Sequence, residues 1–219
     1  MNLYLIRHGA TLANLKDETR SSYTDAEMPL AKKGIRQAEE AGKVLAKYFD
    51  ENEICLGKGA KIWTSSFSRA TKTSEILNEF LGIQDVTEVP ALIEQSFGRI
   101  HYLHEDEVER DLPELYEEYV KLINTIGKFD AKISSFGIES VRDVRDRVIP
   151  FTDSLRQAKK EGVTTGIIVA HAISLNVLRG LILGENPEWI CKQEYPPNCS
   201  IRKIQYGNKN PDRGYIYHC

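Results

Sequence analysis

The sequence predicts an α/β fold with three layers, α/β/α, in which a mostly parallel central sheet has helices on both faces. Short apolar strand candidates alternate along the chain with segments that show the 3.6-residue period of amphipathic helices. Of the 219 residues, 41% are hydrophobic, which is enough for one large core. Because no Pro- or Gly-rich linker divides the chain, we expect residues 1–219 to form a single domain.

The first half of the chain predicts three strands and two helices. In chain order these are a strand over 3–9, a helix over 31–49, a strand over 61–65, a helix over 68–81 and a weak strand over 86–89. The first helix has apolar residues at helical spacing, and Gly82 is a natural stop for the second.

The second half predicts further helices around the most apolar strand of the chain. In chain order these are helices over 106–126 and 140–159, a strand over 164–170, a helix over 172–183, and edge strands or a hairpin over 199–206 and 214–217. Pro113 either kinks the first of these helices or opens a second one. Pro150 should bend the helix over 140–159.

Charge and cysteine content exclude several classes of partner. A net charge of −3 without a long basic run argues against nucleic acid and against an anionic membrane surface. The chain has four cysteines without Cys-x-x-Cys spacing, namely Cys55, Cys191, Cys199 and Cys219. They are typical of reduced thiols. Since no signal peptide or long apolar span is found, we expect a cytoplasmic protein. The sequence does not indicate an oligomeric state.

Polar residues follow four strands of the predicted sheet. They are Arg7 and His8 after the first strand, Ser65, Ser66 and Arg69 after the second, Glu94 after the third and His171 after the fourth. Ligands of such sheets bind outside the carboxyl ends of the strands. The guanidinium and imidazole groups, and the helix starts near Arg69 and His171, suit a phosphoryl group. We therefore expect a phosphate site at this edge.

Several sequence blocks occur in a familiar order. They are Leu-Ile-Arg-His-Gly-Ala-Thr at 5–11, Ser-Ser-Phe-Ser-Arg-Ala at 65–70, Leu-Ile-Glu at 92–94, Gly-Ile-Glu-Ser at 137–140, Val-Ala-His at 169–171 and Pro-Asn-Cys-Ser at 197–200. Together they resemble the histidine phosphatase superfamily, which includes the cofactor-dependent phosphoglycerate mutases. The resemblance extends over most of the chain and implies a phosphoglycerate mutase-like fold.

The resemblance assigns roles to the charged and imidazole side chains at the sheet edge and to Asn14. His8 would accept the phosphoryl group as a phosphohistidine, Glu94 would act as proton donor and then base, Arg7, Arg69 and His171 would hold the nonbridging oxygens, and Asn14 would add a neutral donor. The chemistry agrees, because a nucleophilic imidazole must be neutral and nearby cations disfavour its protonated form. No metal and no cofactor are implied.

Other positions have two interpretations each. Arg20 and Asp25 lie where family members shape the substrate entrance, and Arg20 is a candidate substrate-binding residue, although both also fit a solvated loop. If Glu94 only supports the fold, an acid within 105–109 becomes the proton donor. Glu139 and Ser140 fit structural roles, and Ser140 could cap a helix.

Three departures from the family pattern concern the surroundings of the site. Ala10 stands where many relatives have an acid, and Ala172 and Ile173 stand where glycines are frequent. The segment 98–104 differs from the usual substrate-side wall. It contains His101 and His104, whose spacing could suggest a metal, but without a third ligand a surface or substrate contact is favoured.

The function predicted first is that of a metal-independent phosphomonoesterase acting on a small phosphorylated metabolite or a phosphoprotein. A phosphoglycerate mutase is the alternative, but it needs cations for a second anionic group. The segment 104–119 has only Arg110 among many acids, which favours the phosphatase. A third hypothesis is a catalytically silent module that binds phosphorylated ligands.

Overall fold

The computed structural model describes residues 1–218 and contains a six-stranded mixed sheet. The strands are β1 (Asn2–Arg7), β2 (Ala60–Thr64), β3 (Val86–Glu88), β4 (Thr165–Ala170), β5 (Ile201–Gln205) and β6 (Asp212–Tyr217). The helices are α1 (Lys32–Glu51), α2 (Ser68–Leu81), α3 (Glu105–Asp111), α4 (Pro113–Ile126), α5 (Val141–Lys160), α6 (Ala172–Leu183) and α7 (Pro187–Lys192).

The strand order is β3-β2-β4-β1-β5-β6. The first four strands in this order are parallel, whereas β5 and β6 add an antiparallel edge. Arg7 at the end of β1 pairs with Ala170 at the end of β4, and Thr64 at the end of β2 pairs with Val169. The mostly parallel α/β fold is therefore confirmed, and the four parallel strands end at one edge of the sheet.

Alternate residues of β1 pack into two separate cores on opposite faces of the sheet. Leu3 and Leu5 belong to the core formed with α5 and α6. Tyr4 and Ile6 belong to the core formed with α1 and α2. Because side chains alternate along a strand, this division confirms the three-layer arrangement.

Local sequence signals account for most of the element boundaries. Pro113 opens α4 as a separate helix, because its missing N–H is not needed in the first turn. Gly82 ends α2 in the left-handed conformation, with φ of 64°. The helix α5 runs through Pro150, and Ser140 caps it as expected. The prediction missed α7, whose six residues are too few for a clear helical period.

The described part of the chain contains no helix that is both long and apolar enough to cross a bilayer. Cys55 is exposed and Cys191 is half-buried, and both are free thiols, whereas Cys199 is buried. Cys219 lies outside the described residues.

Close packing of α1 against the end of β1 depends on Gly34. A Cβ atom at this position would lie 2.0 Å from the carbonyl oxygen of Ala10, a backbone atom that cannot turn away. We expect Gly34→Ala to lower the free energy of unfolding by about 2 kcal/mol or more, as for other overpacked sites. Thermal unfolding would measure this, with Lys33→Ala at an exposed position of α1 as the control. Equal melting temperatures for the two variants would contradict the prediction.

Candidate active site

His8 immediately follows β1 and is buried, with 4% of its surface exposed. Its backbone N–H donates to the carbonyl of Ala170 at 3.0 Å, which continues the pairing of β1 with β4 by one residue. In the ring, Nδ1 lies 2.8 Å from the carbonyl oxygen of Gly9. Since a carbonyl can only accept, Nδ1 holds the proton, and Nε2 of the neutral ring keeps its lone pair.

The surroundings of His8 keep its imidazole neutral. Burial, followed by the positive charges of Arg69 and Arg7, lowers the pKa of His8 well below its usual value, against a smaller opposite effect of the hydrogen bond to Gly9. A neutral imidazole at neutral pH is the form that can act as a nucleophile. The sequence-based expectation that nearby cations would have this effect agrees with the geometry.

Three hydrogen bonds hold the backbone around His8. Gly9 N–H donates to Thr73 Oγ1 at 3.0 Å, and the Thr73 hydroxyl donates to the carbonyl of Arg69 at 2.7 Å. Asn198 Nδ2 donates to the carbonyl of His8 at 2.9 Å. Thr73 and Asn198 therefore tie His8 to α2 and to the segment before β5, which limits its freedom to move.

Arg69 and His171 form a buried pair next to His8. Arg69, in the first turn of α2, donates from Nε to Nδ1 of His171 at 3.2 Å. The protonated Nε2 of His171 then donates to Ser65 Oγ at 2.8 Å. The ring centres of His8 and His171 are 5.0 Å apart. Burial and then Arg69 lower the pKa of His171 well below its usual value, so this ring is neutral too.

The hydrogen bonds of His171 bear on its predicted role. Both of its ring nitrogens are bound within the protein, so a direct contact with a phosphoryl oxygen would require Ser65 to be displaced. In the present geometry His171 orients Arg69. Its binding of nonbridging oxygens stays a prediction.

Arg7 retains a buried donor that the protein does not use. Its Nη1 donates to the carbonyl of Pro196 at 2.8 Å, whereas its Nε is buried without a hydrogen-bond partner. Leaving a buried donor unsatisfied costs about 1–3 kcal/mol. An anionic oxygen bound at this position would remove that cost.

Glu94 follows a short helical turn (Pro90–Leu92) and lies against the start of α6. Its Oε1 accepts hydrogen bonds from the backbone N–H groups of Gln95, Ile173 and Ser174 at 3.1, 3.1 and 3.2 Å. Burial raises the pKa of Glu94 and outweighs the opposite effect of the backbone donors and of Arg69 and Arg7. Oε2 has only one longer contact, of 3.3 Å to Ile173 N, and is the oxygen suited to hold a proton.

Arg147 of α5 fixes the loop that bears Glu94. It donates to the carbonyls of Ala91, Ile93 and Glu94 at 2.7–2.8 Å. Glu139 supports the same loop, because its Oε2 accepts from Ser96 N–H at 2.9 Å. The structural role expected for Glu139 is consistent with this contact.

The remaining candidates lie on the segment 11–28. Asn14 is exposed, and its Oδ1 accepts from Thr11 N–H at 3.1 Å. Arg20 uses all three nitrogens within the protein, on the carbonyls of Tyr102 and Asp17 and on the carboxylate of Glu107. These bonds favour a structural role for Arg20, and its contact with substrate stays a prediction.

His101 and His104 connect the segment 11–28 to the region before α3. His104 Nε2 lies 2.7 Å from the carbonyl of Ala13, and His101 Nε2 lies 2.9 Å from that of Tyr23. Within residues 1–218, no group of three or more His, Cys, Asp or Glu side chains is arranged to hold a metal ion. The two histidines therefore act as contacts between loops in this structure.

The structure brings together five of the predicted residues and adds others that the prediction left without a role. The five are His8, Arg7, Arg69, His171 and Glu94. The additional ones are Ser65, Thr73, Asn198 and Arg147, which position them. Ser65 and Asn198 lie within the familiar sequence blocks, and Thr73 and Arg147 follow two of these blocks, but motif order alone does not indicate which atom each would contact.

Comparisons with known proteins identify the family of the chain. The family model described as "Histidine phosphatase superfamily (branch 1)" matches residues 3–213. A 2,3-bisphosphoglycerate-dependent phosphoglycerate mutase 2 of Lactobacillus johnsonii is 29% identical over 213 residues, which cover 89% of this chain and 87% of the relative. An uncharacterized phosphatase, PhoE, of Bacillus subtilis is 26% identical and is aligned over 84% of this chain and 78% of its own.

Solved structures share the fold. The alpha-ribazole phosphatase of Shigella flexneri superposes with a TM-score of 0.75 at 22% identity, covering 99% of this chain and 96% of its own. A mycobacterial glucosyl-3-phosphoglycerate phosphatase superposes with a TM-score of 0.68 at 23% identity, covering 93% and 89%. The order of blocks, the matched fold and the family model lead to one conclusion: the chain belongs to the histidine phosphatase superfamily, branch 1.

Proposed function

We propose that the protein is a phosphomonoester hydrolase that acts through a phosphohistidine on His8, with Glu94 as proton donor. One arrangement supports this most directly. His8 is a neutral imidazole with its proton on Nδ1, and the neighbouring Arg7 has a buried Nε donor without a partner. A nucleophile beside a buried cation that has a free donor suits attack on an anionic phosphoryl group.

In the first step, the lone pair of His8 Nε2 attacks phosphorus while the bond from phosphorus to the ester oxygen breaks. The proton on Glu94 Oε2 moves to the departing oxygen and forms an alcohol. The raised pKa of Glu94 supports this role, because the carboxyl group must be protonated when substrate binds.

In the second step, the ionised Glu94 takes a proton from water, whose oxygen attacks the phosphorus of phosphohistidine. The N–P bond breaks, and inorganic phosphate leaves with His8 and Glu94 back in their starting forms. Arg7 and Arg69 stabilise the phosphoryl oxygens in both steps, since fixed donors require little reorganisation in the transition state. These donors supply the charge stabilisation that a metal gives elsewhere, and we propose that none is needed.

A phosphoglycerate mutase is the second candidate, because named relatives of 28–29% identity are such mutases. A mutase must also bind the second anionic group of its bisphosphate. Three cations of the segments 11–28 and 104–119 are paired with acids instead: Lys16 with Asp106 at 2.7 Å, Arg110 with Asp111 at 2.6 Å, and Arg20 with Glu107. This pairing favours the phosphatase over the mutase.

Assays with different substrates, run with a metal chelator present, separate the phosphatase activity from the mutase activity. We expect inorganic phosphate to be released from members of a panel of phosphorylated metabolites and phosphopeptides, with chelation having no effect. With 3-phosphoglycerate and its bisphosphate, we expect little isomerisation. Isomerisation with kcat/KM of about 10⁵ M⁻¹s⁻¹ or above would instead establish a mutase. Phosphohydrolase activity that returns only with added metal would contradict the metal-independent mechanism, and binding without any turnover would indicate the silent module.

A further inference from the structure

Asp25 contacts Arg69 at two points. Its Oδ1 lies 2.9 Å from Arg69 Nη1, and its backbone carbonyl accepts from the same nitrogen. Arg69 Nε donates to Nδ1 of His171. Of the three guanidinium nitrogens of Arg69, Nη2 is therefore the one without a hydrogen-bond partner among residues 1–218. The side chains of Arg69 and Asp25 are 6% and 27% exposed, which largely shields the ion pair from water. In such surroundings a neighbouring charge has a larger effect than at the surface.

The backbone holds Asp25 in this position. Ser68 N–H, at the start of α2, donates to the carbonyl of Ala26 at 2.9 Å. On its other side, the segment is fastened to α3 by the ion pair of Arg20 with Glu107, whose side chains are 13% and 12% exposed. The carboxylate of Asp25 is thus a built part of the surroundings of Arg69, not the end of a free loop.

This carboxylate changes the charge that a phosphoryl group would meet. Arg69 acts electrostatically on both His8 and His171, which locates its charge at the centre of the site. An anion in contact with Arg69 subtracts from that positive potential. A hydrolase that binds its phosphate product too tightly is slowed, because the product has the same oxygens that the site is built to hold.

We propose that Asp25 compensates the charge of Arg69 and thereby weakens the binding of inorganic phosphate, which favours release of the product. The inference rests on the proposed function, since it concerns the same phosphoryl site. It makes Asp25 a positioning and charge-setting residue, without contact to the reacting atoms.

The test compares Asp25→Asn with the unchanged protein. Asparagine keeps the size of the side chain and an oxygen for Arg69 but removes the negative charge. We expect the dissociation constant for inorganic phosphate, measured by titration calorimetry, to fall about tenfold, and the inhibition constant of phosphate to fall in parallel. Glu27→Gln is the matched control, because it removes the same charge from an exposed position two residues away and should leave both constants unchanged.

Several results would overturn the inference. Unchanged or weaker phosphate binding by folded Asp25→Asn would make Asp25 only a structural support of Arg69, and equal tightening in Glu27→Gln would show a general charge effect. Asp25→Ser serves as the second variant, and failure of both to fold would also reject the idea. If the unchanged protein does not bind phosphate at all, the proposed function itself is wrong. If the unchanged protein binds phosphate and the dissociation constant is the same in Asp25→Asn, only this inference is rejected.

Discussion

Replacing His8 with alanine is expected to reduce turnover of every phosphomonoester by on the order of a thousandfold or more. In the unchanged protein, Nδ1 of His8 donates to the Gly9 carbonyl, so the lone pair of Nε2 is available for attack. The variant lacks this lone pair. Arg7 and Arg69 would remain, so binding of substrate should survive better than catalysis. Steady-state kinetics and phosphate binding on the same protein would separate the two effects.

The covalent intermediate offers a more direct measurement of the role of His8. Rapid quenching with labelled substrate should trap an acid-labile phosphoenzyme in the unchanged protein and none in His8→Ala. His218→Ala removes an exposed histidine that the proposed mechanism does not use; it is the control and should retain both label and turnover. Near-normal turnover in His8→Ala, or label on a serine, would contradict the assignment.

Replacing Glu94 with glutamine is expected to affect substrates according to their leaving group. Alkyl phosphates, which release a strongly basic alkoxide, should lose about a hundredfold to ten-thousandfold in rate, the usual range for general acid catalysis. Aryl phosphates should lose much less, because a phenolate leaves without help from a proton. Glu105→Gln is the control, since this exposed residue is the first of the alternative acids in 105–109.

The pH profile gives a second measure of Glu94. Because the acid must be protonated, kcat/KM for an alkyl phosphate should fall as pH rises through the pKa of Glu94. Burial raises that pKa, so the fall should occur above the range of an ordinary glutamate. This fall of kcat/KM with rising pH should be absent in Glu94→Gln. Equal losses on both substrate classes, or a larger loss in Glu105→Gln, would mean that Glu94 only binds or supports the fold.

Much of the fold could be predicted because its signals are local. The helical period of α1, the stop at Gly82 and the opening of α4 at Pro113 each depend on a few neighbouring residues. The position of α7 could not be predicted in this way. Its six residues are too few for a clear helical period, and its start depends on the Asn186 side chain, which accepts from Trp189 N–H at 2.9 Å.

The sequence by itself determined that His8, Arg69, Glu94 and His171 follow successive strands, and the parallel sheet then required most of them to meet at one edge. It also determined the family, because ordered motifs are a property of the chain alone.

Only the tertiary structure decided the state of each group at that edge. The neutral ring of His8, the raised pKa of Glu94 and the pairing of Arg69 with Asp25 arise from contacts between distant parts of the chain. Burial and charge act through space, so their effects on a pKa depend on which groups the fold brings together. Arg20 illustrates the difference, since the sequence left open whether it lies at the substrate entrance or in a solvated loop, and the folded chain binds it to Glu107.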